Sequence, residues 1–280
     1  MVQQWVLFAA LGGLSSNLFN FLSRYLLREK GDATAWAWFY ECLRAIFFLV
    51  AILFDFRLQV SLYSFIVLLL LGLTEFASVY LYMKMHQCSH LSISTILSRT
   101  RVIWIPLIAF LFFGEQLKLL DYIGIVLLFV GVSVTVAPHK LFIDKGAIYA
   151  NLAAFVIAIN VILLKMATPI ASGSVILFAY SLPAVFLFPL LMKDPKRRFV
   201  ESSKNNVPVK LLATAGSIVA GYLLVAALAV GDASRVNAIY QGMMVTGVLV
   251  GIIILKERKD IVKKLIGTAL ALAGVILVTT

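Results

Sequence analysis

Phe113-Gly114-Glu115, followed by Tyr122-Ile123-Gly124 and Val130-Gly131-Val132, is answered late in the chain by Leu255-Lys256-Glu257, Leu265-Ile266-Gly267 and Ala273-Gly274-Val275. The offset is 142 at the glutamates and 143 at the glycines. Working outward at that spacing, Tyr80-Leu81 falls on Tyr222-Leu223, Ser92 on Ser234, and Asn17 on Asn160. One such match means nothing in apolar sequence. In order and at nearly constant offset, they mark a duplication, with halves at residues 1–140 and 141–280.

What lies between the landmarks is almost wholly apolar. Of 280 residues, 62% are hydrophobic and 13% charged, against roughly 25% charged in a soluble domain. A soluble chain of this length has no way to hide that surface, so the surplus faces lipid. Runs long enough for a bilayer core, about 20 residues each, recur near 3–23, 33–54, 61–83, 92–113, 119–137, 146–166, 171–192, 209–230, 235–255 and 261–279. They are too long and continuous for barrel strands. The expected fold is an all-α integral membrane protein of ten transmembrane helices, five per repeat. The N-terminus has no basic stretch ahead of its apolar run, so the first run is expected to be retained as a helix.

An odd number of spans per half turns the second copy upside down, and the charges agree. The connector after the first span is rich in Lys and Arg (Arg24, Arg28, Lys30), while its equivalent after the sixth has Lys165 alone. The connector after the second span has only Arg57; its equivalent after the seventh has six basic residues. Summed by side, one face collects 17 Lys and Arg and the other 4. That is what the positive-inside bias selects for inverted repeats. It predicts a multi-pass protein of the cell (inner) membrane with the basic face cytoplasmic and both termini outside. The net charge of +11 is thereby assigned to connectors, and nucleic acid is not an expected partner. Cys42 and Cys88 have no metal-type spacing, and no cofactor or metal is expected.

These landmarks resemble the drug/metabolite transporter superfamily, specifically its ten-helix EamA-type members, over nearly the whole chain. Arg44 within Glu41-Cys42-Leu43-Arg44-Ala45 is similar to the family's second-helix arginine, and Ser89, Ser92 and Ala233-Ser234 fit its serine-bearing helix starts. The chain departs from the pattern at Val102, where the family often has proline, and in flanking that position with Arg99 and Arg101. The resemblance implies a secondary carrier of small organic solutes with a cavity between the halves. It leaves the solute open.

A carrier needs a polar site near the midplane, and ionisable groups inside spans, costly there, are its natural markers. Glu41, Arg44, Arg99 and Arg101 lie nearest the centres of their runs, with Glu75 a turn further out. Trp36, Tyr40, Glu41 and Arg44 share one arc of the second span at helical spacing, an aromatic and charged stripe suited to a solute; the bland alternative is a Glu41–Arg44 brace. Arg99 and Arg101, two apart, point away from each other. Arg99, whose repeat counterpart is Gln241 beside Tyr240, is the expected site residue, and Arg101 is expected to pair with Glu75 or Glu41, although the two roles can be exchanged. Asn17 and Asn160 serve either solute or interhelical bonds. Tyr80, Tyr180, Tyr222 and Tyr240 are candidate linings, and Glu115 and Glu257 candidate caps or gates. Glu41 and Glu75, the carboxylates well inside spans, are the candidates to carry a coupling proton.

The expected function is a secondary transporter moving a small polar metabolite, amino-acid-like or other, by alternating access. Three mid-span arginines against two glutamates favour an anionic group on it. The alternatives are a lipid-linked sugar flippase of the same superfamily, an intramembrane enzyme, or a non-transporting sensor. No nucleophile–base constellation, zinc-protease motif or phosphate-cradling loop supports an enzyme. The expected partners are a small-molecule substrate and membrane lipid; one chain suffices for a complete carrier, and a homodimer stays open.

Overall fold

The computed structural model describes residues 4–27, 31–88, 100–136, 145–243, 246 and 261–279. In lipid the backbone finds no water and must satisfy its own N–H and C=O groups, so apolar runs become helices. They are α1 (Gln4–Leu27), α2 (Ala33–Ala51), α3 (Leu62–Cys88), α4 (Arg101–Phe113), α5 (Leu119–Val136), α6 (Lys145–Ala167), α7 (Gly173–Leu190), α8 (Pro195–Lys204), α9 (Val207–Val230), α10 (Ala233–Gly242) and α11 (Ile261–Thr279). Seven of them (α1, α2, α3, α6, α7, α9 and α11) are long and apolar enough to cross a membrane, and α4 and α5 are shorter apolar helices. Residues 89–99 and 247–260, and with them Arg99 and Glu257, lie outside the described residues.

Lipid-facing stripes are legible directly. On α1, Leu7, Leu11, Leu14, Leu18 and Phe21 are all exposed, spaced three and four apart along one face. The opposite face carries Gly12 and Gly13, where a side chain would run into Tyr240, Leu223 and Met243. The small residues let α1 lie close against α9 and α10.

Helix pairing obeys the duplication. The α1–α9 contact has its mate in α3–α6, and α1–α10 in α4–α6, while α2–α7 and α5–α11 are their own mates. The repeated glycines explain the last pair. A Cβ on Gly124 would come 2.7 Å from the Gly274 carbonyl oxygen, and one on Gly131 would come 2.6 Å from that of Gly267. These two contacts exchange when the halves are exchanged, so glycines that looked like repeat landmarks are the crossing points of a pseudo-two-fold bundle.

The connectors show the inversion. The one after α1 is joined to the one after α7 through Asp32 and Arg198. The one after α2 is joined to the one after α6 by a bridge between Leu58 and Ala171. Those two junctions sit at opposite ends of α2, roughly 28 Å apart at 1.5 Å per residue. Equivalent connectors of the two copies therefore lie on opposite faces.

Two features depart from the sequence reading. The charged stretch after α7, expected as a plain connector, contains the helix α8. Pro195 presets its first turn, and Phe199 anchors it against Trp38 and Phe39 at 4.6 and 5.6 Å between ring centroids. The pairing also breaks symmetry: α3 packs along α7, but its counterpart α9 has far less contact with α2.

Candidate functional site

The inward face of α2 carries the densest charge in the bundle. Glu41 is 0% exposed and Arg44 3%, and across from them on α3 Glu75 is 6% exposed. Arg44 Nη1 donates to Glu41 Oε1 at 2.9 Å and lies 3.6 Å from Glu75 Oε1. The guanidinium stacks over Tyr180 at 5.0 Å and Tyr40 at 5.9 Å, and Ser78 Oγ donates to Glu75 Oε2 at 3.0 Å. Taking these charges out of water is costly unless each is paired. One guanidinium serves two carboxylates, Ser181 and Tyr40 lie within reach of the Glu41 carboxylate, and Arg44 Nε has no hydrogen-bond partner.

A second polar pair bridges the halves at α4 and α10. Arg101 Nη2 donates to Gln241 Oε1 at 2.7 Å, and Gln241 Nε2 donates to Asn237 Oδ1 at 3.4 Å. The phenols of Tyr82, Tyr240 and Tyr180 lie within electrostatic reach of the guanidinium, and Tyr180 also borders Glu75. Arg101 Nε is shielded from solvent and has no partner. Arg44 Nε in the first cluster and Arg101 Nε in the second are both buried atoms without a hydrogen-bond partner among the described residues. Native interiors rarely leave such atoms unsatisfied.

One end of this centre is sealed. Glu115, just beyond the left-handed Gly114 that ends α4, accepts from Lys165 Nζ at 2.9 Å, Ala233 N at 2.8 Å, Ser234 N at 3.2 Å and Ser234 Oγ at 2.7 Å. It thus caps the start of α10, whose first N–H groups lack helical partners. Burial alone would push this carboxyl up, but Lys165, Ser234 and the Ala233 N–H outweigh it and hold it below the usual carboxylate range. Beside it, Arg235 Nη2 donates to Asp121 Oδ2 at 2.7 Å. Arg57 Nη2 donates to the carbonyls of Thr168 and Ala171 at 3.1 Å, and Ser174 Oγ donates to the Asp55 carbonyl at 2.9 Å. Every one of these bonds joins the first half to the second.

The other end carries a cavity. A cavity of about 560 Å³ lies where α9 stands away from α2, lined among others by Tyr25, Asp32, Trp36, Arg198, Asn206 and Lys210. Across it Arg198 grips Asp32 through two hydrogen bonds of 2.5 and 2.6 Å, while Asp32 also caps α2 at the Ala35 N–H. Burial opposes the Asp32 carboxylate, yet Arg198 and the Ala35 N–H prevail and hold it below its usual range. Lys210 Nζ donates to the Ser202 carbonyl and, at 3.1 Å, to Ser202 Oγ. The same ammonium sits 5.9 Å from the Trp36 ring and 5.7 Å from that of Phe39. Trp36 in turn packs on Tyr40 at 5.5 Å, so an aromatic step leads from the cavity to the buried charges.

With this geometry in view, the comparisons are direct. The sequence pattern of the EamA-like transporter family matches residues 3–137 and again 144–280. The chain belongs to that family. Its EamA fold is also seen in a solved structure titled "Crystal structure of protein", 16% identical, which aligns over 97% of this chain and 98% of its own with a TM-score of 0.72. A search of curated proteins gave no match.

On this EamA scaffold the sequence-predicted residues divide. Trp36 lines the cavity; Tyr40, Glu41, Arg44 and Glu75 form one cluster; Tyr240 and Gln241 gather around Arg101. Arg99 lies outside the described residues. One expectation is corrected. Arg101 does not pair with Glu41 or Glu75, because Arg44 already lies between them and Arg101 reaches across to Gln241. Asn17 Nδ2 donates to the Met243 carbonyl at 2.6 Å, and Asn160 Nδ2 to the Leu71 carbonyl and Thr74 Oγ1 at 3.3 and 3.1 Å. Both amides bind a neighbouring helix, the commoner use of asparagine in a bundle. Tyr222 is 45% exposed and its hydroxyl faces Asp55, away from the buried charges. Ser181 and Lys210 were not singled out from sequence. Ser181 gives no signal in an apolar run, whereas Lys210, a basic residue inside the first turn of an apolar span, was a usable one.

Proposed function

We propose that this chain is a secondary transporter that moves a small polar organic solute by alternating access, and that the described conformation opens toward the cytoplasm. The observation that carries this reading is a buried, incompletely satisfied charge centre between two inverted halves. It is closed on one side by half-to-half polar bonds and approached on the other by a cavity of about 560 Å³. The open side carries the basic connectors, which the positive-inside bias keeps in the cytoplasm. Both termini are then external, and the membrane is the cell membrane. The two repeats, 1–140 and 141–280, are carried in one chain, so one chain suffices. Glu41 and Glu75, sharing Arg44, are the groups to exchange a proton with the solute cycle: a single guanidinium neutralises one carboxylate, and a proton neutralises the other.

The test is transport by purified protein in liposomes. Saturable uptake of a labelled metabolite, accelerated by the same unlabelled metabolite on the far side, is the expected signature of one site presented alternately. Flux that neither saturates nor responds to solute across the membrane overturns the reading.

A further inference from the structure

Two arginines of this membrane interior differ in company, and the difference names the solute. Arg44 has a carboxylate on either side, Glu41 at 2.9 Å and Glu75 at 3.6 Å. An anionic solute arriving there meets two like charges. Arg101 has no carboxylate partner among the described residues; its one hydrogen bond goes to the neutral oxygen of Gln241 at 2.7 Å, and its Nε is unpartnered. Arg101 is half-buried, and a neutral amide compensates a guanidinium withdrawn from water less well than a carboxylate does. The fork of an arginine also matches the two oxygens of a carboxylate in a way a lysine does not. The phenols of Tyr82, Tyr180 and Tyr240 lie within electrostatic reach of the fork, and Gln241 Nε2 donates to Asn237 Oδ1. The pair lies between α4 of one half and α10 of the other, so a ligand bridging it touches both halves.

We infer that Arg101, oriented by Gln241, is the anion-binding group of the transport site, and that the solute is a small carboxylate-bearing molecule. The carboxylate displaces Gln241 Oε1 and engages Nη2 and Nε, while Arg44 stays committed to Glu41 and Glu75. The inference rests on the transport reading.

The test measures uptake into liposomes of labelled lactate, succinate, alanine and glutamate, with the amide of each as competitor and with glucose and putrescine as controls. At least one acid is expected to be carried, with its amide a far weaker competitor. Arg101→Gln is expected to raise the acid concentration needed for half-maximal uptake on the order of 100-fold, the scale for removing one member of a buried hydrogen-bonded charge pair. Gln241→Glu is the second variant, because it supplies the missing carboxylate from the protein itself. It is expected to keep or raise the melting temperature while abolishing acid uptake, which separates loss of the site from loss of the fold. Wild-type protein that carries glucose or putrescine but no acid overturns this inference and leaves the transport reading standing. So does acid uptake unchanged in Arg101→Gln or Gln241→Glu. Wild-type protein that carries none of the six solutes counts against the transport reading itself.

Discussion

Glu115→Ala removes the centre of the closed end. In the folded protein this carboxylate holds an ammonium, two backbone N–H groups and a hydroxyl, with side-chain exposures of 6% for Glu115 and 20% for Lys165. Removing one partner of a buried ion pair costs about 3–5 kcal/mol. The lower end applies here, because Lys165 keeps the Gly231 carbonyl at 3.0 Å and the Phe113 ring at 5.4 Å. That figure includes about 1 kcal/mol for uncapping α10. In a carrier that alternates, these bonds exist only while this end is shut, so their loss moves the balance between states. About 3 kcal/mol corresponds to a population shift of roughly 150-fold. The assay is labelling of an introduced Ala238→Cys, buried in α10 one turn beyond Ser234, by a membrane-impermeant maleimide in a Cys42→Ala, Cys88→Ala background. Glu115→Ala is expected to raise the labelling rate from the closed side by about two orders of magnitude, with Glu115→Gln intermediate because its amide oxygen still accepts from the α10 N–H groups. An unchanged rate in folded Glu115→Ala protein would refute the gate.

Three further outcomes follow. Glu75→Gln takes one of two carboxylates from Arg44 and is expected to abolish the difference between uptake at pH 6 and at pH 8; a wild-type pH profile in this variant removes Glu75 from proton coupling. The Asp32 carboxyl is held below its ordinary 3.8 by Arg198, so its stabilisation is present above that pH and fades as pH falls through the lower folded-state value. The melting-temperature gap between wild type and Asp32→Asn is therefore expected to stay constant from pH 5 to 8 and to narrow below about pH 4; a gap that closes near neutrality contradicts the assignment. Gly274→Ala puts a Cβ 2.5 Å from the Gly124 carbonyl oxygen and 2.6 Å from Leu128 N, backbone atoms that yield little. It is expected to cost about 1–3 kcal/mol, and an unaltered melting temperature would show that α5 and α11 do not cross there.

How far the residues alone reached is visible in particular cases. Glu41 and Arg44 were legible as a pair because helical spacing puts residues three apart on one face and nothing else on that turn competes for them. The matched glycines were legible as a repeat but not as contacts, since only the crossing of α5 over α11 explains why no side chain fits. Asn17 and Asn160 were equivocal because an amide serves a solute and a carbonyl equally well, and the neighbour that took it, Met243 or Leu71, is more than eighty residues away.

Membrane residence, helical class, duplication and inversion were determined by sequence itself, because each depends on properties summed over many residues: hydropathy over a span, offset over a repeat, basic charge over connectors. Which charge meets which was decided only by the tertiary structure. Arg44 and Arg101 are the same residue type, and nothing local tells which will be neutralised. Folding brought Glu75 to Arg44 and Gln241 to Arg101, and the energy of a buried charge depends on that company.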